Sequence, residues 1–80
     1  MSPGYTLDHI RVLKLLENNS SFKKEDLRKN TGLQPVRLYR VITRLLIDGL
    51  IEKENKDGAE YYKITEKGRE YLRQLREVLA

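Results

Sequence analysis

The chain has no cysteine and no tryptophan, and only one histidine, one phenylalanine and two prolines in 80 residues. Without cysteine, neither disulfides nor thiolate chemistry is open to it. With His9 as the sole imidazole, the nitrogen and sulfur ligands of a transition-metal site are also missing, so neither metal nor cofactor is expected. His9 itself reads as a structural or exposed residue. The sequence contains no nucleophile with a matching base, no glycine-rich phosphate loop and no carboxylate pair in a plausible pocket, so an enzyme is not expected. No apolar run approaches the roughly 20 residues needed to cross a bilayer, so no membrane partner is expected. Met1-Ser2-Pro3-Gly4-Tyr5 has neither the basic nor the apolar part of a signal peptide, and a cytoplasmic location is expected. A chain this short buries only roughly 60–65% of the surface its unfolded form exposes. Its core is thin, and deep active-site clefts are disfavoured.

Charge is plentiful. Sixteen Lys and Arg face twelve Asp and Glu, for a net charge of +4 and a pI near 9.5. An excess of this size favours a polyanionic partner, and its placement matters more than its sign.

Placement follows from periodicity. Ile10, Leu13 and Leu16, with Val12 and Leu15 beside them, predict a helix over residues 6–18, capped by Thr6, with Asp8 at the positive end of its dipole. Residues 23–30 hold one apolar side chain, Leu27, and read as a short surface helix, with Ser21 the nearest N-cap and Gly32 the terminator. Pro35 suits the first turn of a third helix over about 34–47, whose buried face is Leu38, Ile42 and Leu45 flanked by Val41 and Leu46. Asp48-Gly49 stops it. Residues 50–54 and 61–65 are β-rich and are joined across Asp57-Gly58, a strong hairpin signal. Thr65 then caps a last helix over about 66–79. The expected class is mainly α with a small hairpin, in the order helix-helix-helix-strand-strand-helix. Residues 1–80 read as a single domain. Tyr61, Tyr62 and Tyr71 are of the type that stacks single-stranded bases, and they read here as core-packing residues.

A short helix, a glycine-containing turn and a longer helix make a helix-turn-helix, whose second helix enters the major groove of DNA. Residues 34–47 carry Arg37, Arg40 and Arg44 and no acid. Three- and four-residue spacings put these arginines on one face, away from the apolar stripe. Arginine can donate two bonds to guanine O6 and N7, and Gln34 can pair with adenine. Tyr39 and Thr43 carry hydroxyls that reach phosphates or bases, and Val36 suits a thymine methyl. Lys23, Lys24 and Arg28 on the preceding helix can hold the DNA backbone, offset by Glu25 and Asp26. Lys53, Asn55, Lys56 and Lys63 place cations on the hairpin, diluted by Glu52, Glu54 and Glu60.

Thr31-Gly32-Leu33, then Leu38, Arg44-Leu45, Asp48-Gly49-Leu50-Ile51, a hairpin and Tyr62-Lys63-Ile64-Thr65-Glu66-Lys67-Gly68 form a recognisable series. Over residues 20–70 the chain resembles winged-helix transcription factors of the MarR, PadR and small archaeal regulator type. The resemblance implies a recognition helix carrying Gln34, Val36, Arg37, Tyr39, Arg40 and Arg44, and a wing carrying Lys53, Asn55, Lys56 and Lys63. It implies a DNA-binding regulator. The expected function is a sequence-specific double-stranded DNA-binding transcriptional regulator, a repressor by occlusion because a chain of this size has no room for an activation or ligand-sensing domain. Such relatives dimerise through terminal helices, and Val12, Leu15, Leu72, Leu75 and Leu79 are the expected homodimer contacts. Nothing in the sequence identifies a small-molecule effector. Two alternatives stay open, a winged helix used for protein–protein contact and a replication or architectural DNA-binding factor.

Overall fold

A computed structural model describes residues 4–18 and 21–79. Helix α1, Leu7–Leu16, starts at Thr6, whose backbone N–H donates to Nδ1 of His9 at 3.1 Å. The imidazole thus takes the place that Glu or Gln usually holds in a capping box. Helix α2, Lys24–Thr31, ends on Gly32 at φ 72°, a left-handed conformation that costs glycine nothing. Its N-cap is Lys23, with no side-chain cap, and not Ser21 as expected. The reason lies just upstream. Phe22 is pulled into a β-bridge with Tyr62, exchanging N–H···O bonds of 3.0 and 2.8 Å, so the chain is still extended at that point.

Helix α3, Pro35–Ile47, has proline in its first turn and Gln34 as N-cap. The chain then turns through Gly49 at φ 75°. Strands β1, Ile51–Lys56, and β2, Ala59–Ile64, pair antiparallel from Ile51 opposite Ile64 to Lys56 opposite Ala59. Only Asp57-Gly58 lies between them, both at positive φ (52° and 80°) as a tight two-residue hairpin turn demands. The strands therefore run further toward the tip than the β-rich residues alone suggest, because once the turn is set the backbone ladder closes regardless of side chain.

Helix α4, Glu66–Leu79, is tied to this hairpin at one joint. Thr65 Oγ1 donates to Gly49 O at 2.6 Å and accepts from Gly68 N–H at 3.1 Å, while Thr65 N–H donates to Leu50 O at 3.0 Å. Gly68 must be glycine here. A Cβ would stand 2.2 Å from Leu50 O and 2.6 Å from Ile64 Cγ1. The observed order is the expected helix-helix-helix-strand-strand-helix.

Every helix contributes to one core. Val12, Leu13 and Leu16 of α1, Leu27 of α2, Leu38, Val41, Ile42 and Leu45 of α3, and Leu72 of α4 meet Leu50, Ile51, Tyr62 and Ile64 from the hairpin and its approach. Tyr62 is thus a core residue, as is expected of an aromatic in a strand. Tyr71 packs edge-on against Tyr5 with ring centroids 5.1 Å apart.

Two expected dimer contacts belong to this core instead. Val12 is 0% and Leu72 1% exposed, so neither offers surface to a second copy. The apolar arcs of α1 and α4 are wide because these helices face several neighbours within their own domain. Leu15 and Leu75 are half-buried, with Leu15 packed against the core. Leu79 is 77% exposed, and Val78 beside it is exposed as well. Among the described residues, no helix is long and apolar enough to cross a membrane, and no cluster of three His, Asp or Glu residues is placed to hold a metal ion.

Candidate nucleic-acid interface

Helices α2 and α3 and the turn at Gly32 concentrate the charge of the molecule. Residues 23–47 contain seven cations, Lys23, Lys24, Arg28, Lys29, Arg37, Arg40 and Arg44, against Glu25 and Asp26. That local excess is larger than the net +4 of the whole chain. The remainder is therefore slightly acidic.

At 100° per residue, the buried stripe of α3 (Leu38, Val41, Ile42, Leu45) fixes which side chains stand opposite. They are Val36, Arg40, Thr43 and Ile47. Val36 is 66% and Ile47 76% exposed, Arg40 is exposed, and Thr43 is half-buried. Gln34 is exposed at the N-cap. Tyr39, 60% exposed, lies to one side with the Lys24 ammonium 5.5 Å from its ring centroid.

Arg37 and Arg44 lie on the other flank, turned toward the start of the chain. Arg37 Nε donates to Asp8 Oδ2 at 3.0 Å, and its Nη2 donates to Thr6 Oγ1 at 3.2 Å. Arg44 Nε donates to Asp48 Oδ2 at 2.8 Å, and its guanidinium sits 5.0 Å from the centroid of the Tyr5 ring. The Tyr5 hydroxyl donates to the same carboxylate oxygen at 2.5 Å. Burial and that bond push the Tyr5 pKa up to about 12, while the Tyr5 and Arg44 hydrogen bonds hold the Asp48 carboxyl below its usual range. The three arginines share a face, as their spacing predicts, and they do not share an environment. Arg40 alone among them has no ion-pair partner among the described residues.

The residues that sequence reading missed are the partners of these arginines. Asp48 stands four positions after Arg44 on the same helical turn, a spacing that was readable. Asp8 lies 29 residues from Arg37 and leaves no local signal.

The hairpin differs again. Side chains alternate across the sheet, so the register divides the four expected contacts into two pairs. Lys53 and Asn55 share the face of Ile51, Tyr62 and Ile64, and Lys56 and Lys63 take the opposite face. Lys53 looks into a cleft lined by Lys24, Tyr39, Thr43, Glu60 and Tyr62. All three lysines have acidic neighbours: Lys53 with Glu60 at 3.8 Å, Lys56 with Glu54 at 3.6 Å, and Lys63 with Glu52 at 3.8 Å and Glu54 at 3.4 Å. On α2, Lys23 is the N-cap, its ammonium 5.7 Å from the Tyr61 ring centroid, and Arg28 is exposed.

A family model described as winged helix-turn-helix matches residues 9–80. The chain belongs to that family. Helix α3 is therefore the second helix of its helix-turn-helix and the β1–β2 hairpin its wing. RV1404 from Mycobacterium tuberculosis has a similar structure, with a TM-score of 0.84 at 26% identity over 92% of this chain and 52% of that one. NadR, solved in complex with 4-hydroxyphenylacetate, gives a TM-score of 0.79 at 24% identity over 92% of this chain and 55% of its own. The homodimeric winged helix-turn-helix DNA-binding domain Mb0332 from Mycobacterium bovis, a possible ArsR-family transcriptional regulator, gives 0.73 at 22% identity, over 92% of this chain and 68% of that one. This winged helix spans about half the length of the first two, 52% and 55%. No curated protein matches it.

Proposed function

We propose that this winged helix binds double-stranded DNA in a sequence-specific manner and regulates transcription, acting as a repressor by occluding the stretch it occupies. The observation that carries the reading is the outward face of α3. It is free of acids, it centres on Arg40, which has no ion-pair partner among the described residues, and it stands in the most positive part of the molecule. Major-groove entry would put Val36, Arg40 and Thr43 toward base edges and leave Lys23, Lys24, Arg28 and Tyr39 for phosphates. Lys53 and Asn55 are the wing residues on the side of the recognition helix, and they are the wing contacts that this docking uses.

The reading includes a homodimer. Leu75, Val78 and Leu79 lie at the end of α4, the last two exposed, and a structural neighbour, Mb0332, is homodimeric. Two copies would address half-sites about 34–36 Å apart, or a multiple of that spacing.

The test is fluorescence anisotropy of the purified chain against a random duplex pool and against the DNA upstream of its own gene, from low to physiological salt. Tight, steeply salt-dependent binding that favours the upstream DNA is expected. Weak binding to both, without a salt slope, would remove the reading and direct attention to a protein partner for the same face.

A further inference from the structure

The face of α3 opposite its buried stripe presents few hydrogen-bonding groups to a groove. That face begins with Val36, an isopropyl group, passes the exposed Arg40 and reaches the half-buried Thr43, whose side chain pairs one methyl with one hydroxyl. Two of the three arginines that would enrich this line are drawn aside, Arg37 by Asp8 and Thr6, and Arg44 by Asp48 and Tyr5. Methyl groups read one feature of the major groove well, the 5-methyl of thymine, and a lone guanidinium reads guanine O6 and N7.

The geometry points to a half-site core in which one guanine, read by Arg40, lies between two thymine methyls, one against Val36 and the other against the Thr43 methyl. This rests on the DNA-binding reading above and adds its specificity. Spacing sets the length. Seven residues at 1.5 Å each carry the helix about 10 Å from Val36 to Thr43, or about three base-pair steps of 3.4 Å. The two thymines therefore fall within about four base pairs and on either strand. Arg37 and Arg44 take no part in base choice.

The experiment begins with selection of bound sequences from a random duplex pool by the whole chain. The recovered site is then resynthesised with deoxyuridine in place of each thymine in turn, which removes a methyl and leaves the base pairing intact. Substitution at the two flanking thymines should each weaken binding about fourfold, the equivalent of one lost apolar carbon contact. Val36→Ala should abolish the penalty at one of them, and Thr43→Ser, which keeps the hydroxyl, should abolish it at the other. Arg40→Ala should lose the guanine preference and about tenfold or more in affinity for the selected site. Arg37→Ala should weaken all sequences alike. These side chains lie outside the core, and unchanged thermal melts confirm that each variant is folded. Tight binding to a selected site that is indifferent to deoxyuridine, or a guanine preference that survives Arg40→Ala, overturns this inference and leaves DNA binding standing. Failure to retain any duplex from the pool overturns the DNA-binding reading, and the inference with it.

Discussion

Helix α3 and the wing each carry three cations, and almost everything else about those cations differs. On α3, Arg37, Arg40 and Arg44 have no acid on their own helix, and the partners that two of them find belong to Asp8 on α1 and Asp48 at the helix end. In the wing, Lys53, Lys56 and Lys63 are outnumbered by Glu52, Glu54, Asp57 and Glu60, and each lysine is within 4 Å of a glutamate of the same hairpin. A phosphate approaching the helix would meet Arg40, which has no ion-pair partner among the described residues, whereas one approaching the wing would compete with carboxylates already in place. Equal numbers of cations therefore leave the two surfaces unequal in the charge they offer a polyanion. What counts is how many of them the protein has not already paired.

The largest effect expected concerns how the wing is set relative to the helix. Gly68→Ala pushes a methyl against the Leu50 carbonyl and Ile64 at the base of the hairpin, where neither backbone can yield without losing the Thr65 joint. Destabilisation of about 3 kcal/mol is expected, the upper part of the range for overpacked cores, read from urea or thermal unfolding. A change below about 0.5 kcal/mol would mean that the hairpin is not pinned there.

Next in size is the direct contrast between the two surfaces. Arg40→Ala should lose about 1–3 kcal/mol of binding to the preferred site. Lys56→Ala should leave the salt slope unchanged, where a phosphate-contacting lysine would lower it by about one unit. Titrations of both variants at several salt concentrations decide the matter. A slope that drops for Lys56→Ala would restore the wing tip as a backbone contact and break the comparison.

Much of this fold is legible in the sequence, and the reasons are local. The stripe Leu38, Val41, Ile42 and Leu45 is buried as its period requires, and Gly32, Gly49 and Asp57-Gly58 turn the chain where their backbone freedom predicts. The bridge at Phe22 was not legible, because a single β-pair has no period and its partner Tyr62 lies 40 residues away along the chain. Val12 and Leu72 were misplaced for a related reason. Periodicity measures the width of an apolar arc, and it does not say whether that arc is covered by the same chain or by another. The candidate interface was legible as a set of residue types on one helix. Its division into an Arg40 with no ion-pair partner among the described residues and two engaged arginines was not, since Asp8 acquires its role only when α1 and α3 are side by side.

That division suggests a smaller effect. Asp8→Asn removes the carboxylate holding Arg37 and leaves a residue tolerated near a helix start. The exposed pair stabilises the fold by at most about 1 kcal/mol, so folding should change little. The released guanidinium should raise affinity for any duplex about two- to fivefold and steepen the salt dependence. An unchanged affinity would show that DNA already takes Arg37 from Asp8 on binding, and the two flanks of the helix would then be equivalent in the complex.

The smallest effect is a pH dependence at the same contact. His9 is buried, its pKa is lowered by burial first and by Arg37 and Arg44 next, and Asp8 and Asp48 oppose the shift without cancelling it. Its Nδ1 accepts the Thr6 N–H, so the neutral ring carries its proton on Nε2, and protonating Nδ1 breaks that bond and leaves Nδ1–H to donate to Thr6 Oγ1, 2.9 Å away. The unfolded chain takes up this proton at its ordinary pKa, near 6.5, and the folded chain does so only at lower pH. His9 therefore contributes its full stability above about pH 6.5 and progressively less as the pH falls below it. Melts between pH 7.5 and 5 should show a decline in this window for the natural chain. In His9→Gln that decline should flatten, because glutamine can keep the capping bond and has no proton to take up. Thr6 Oγ1 also receives a hydrogen bond from Arg37, so loosening the cap should free the same guanidinium that Asp8→Asn frees, and duplex affinity should rise slightly as stability falls. If the two quantities instead moved together, the link between the start of α1 and the recognition helix would be broken, and Arg37 would be held by Asp8 alone.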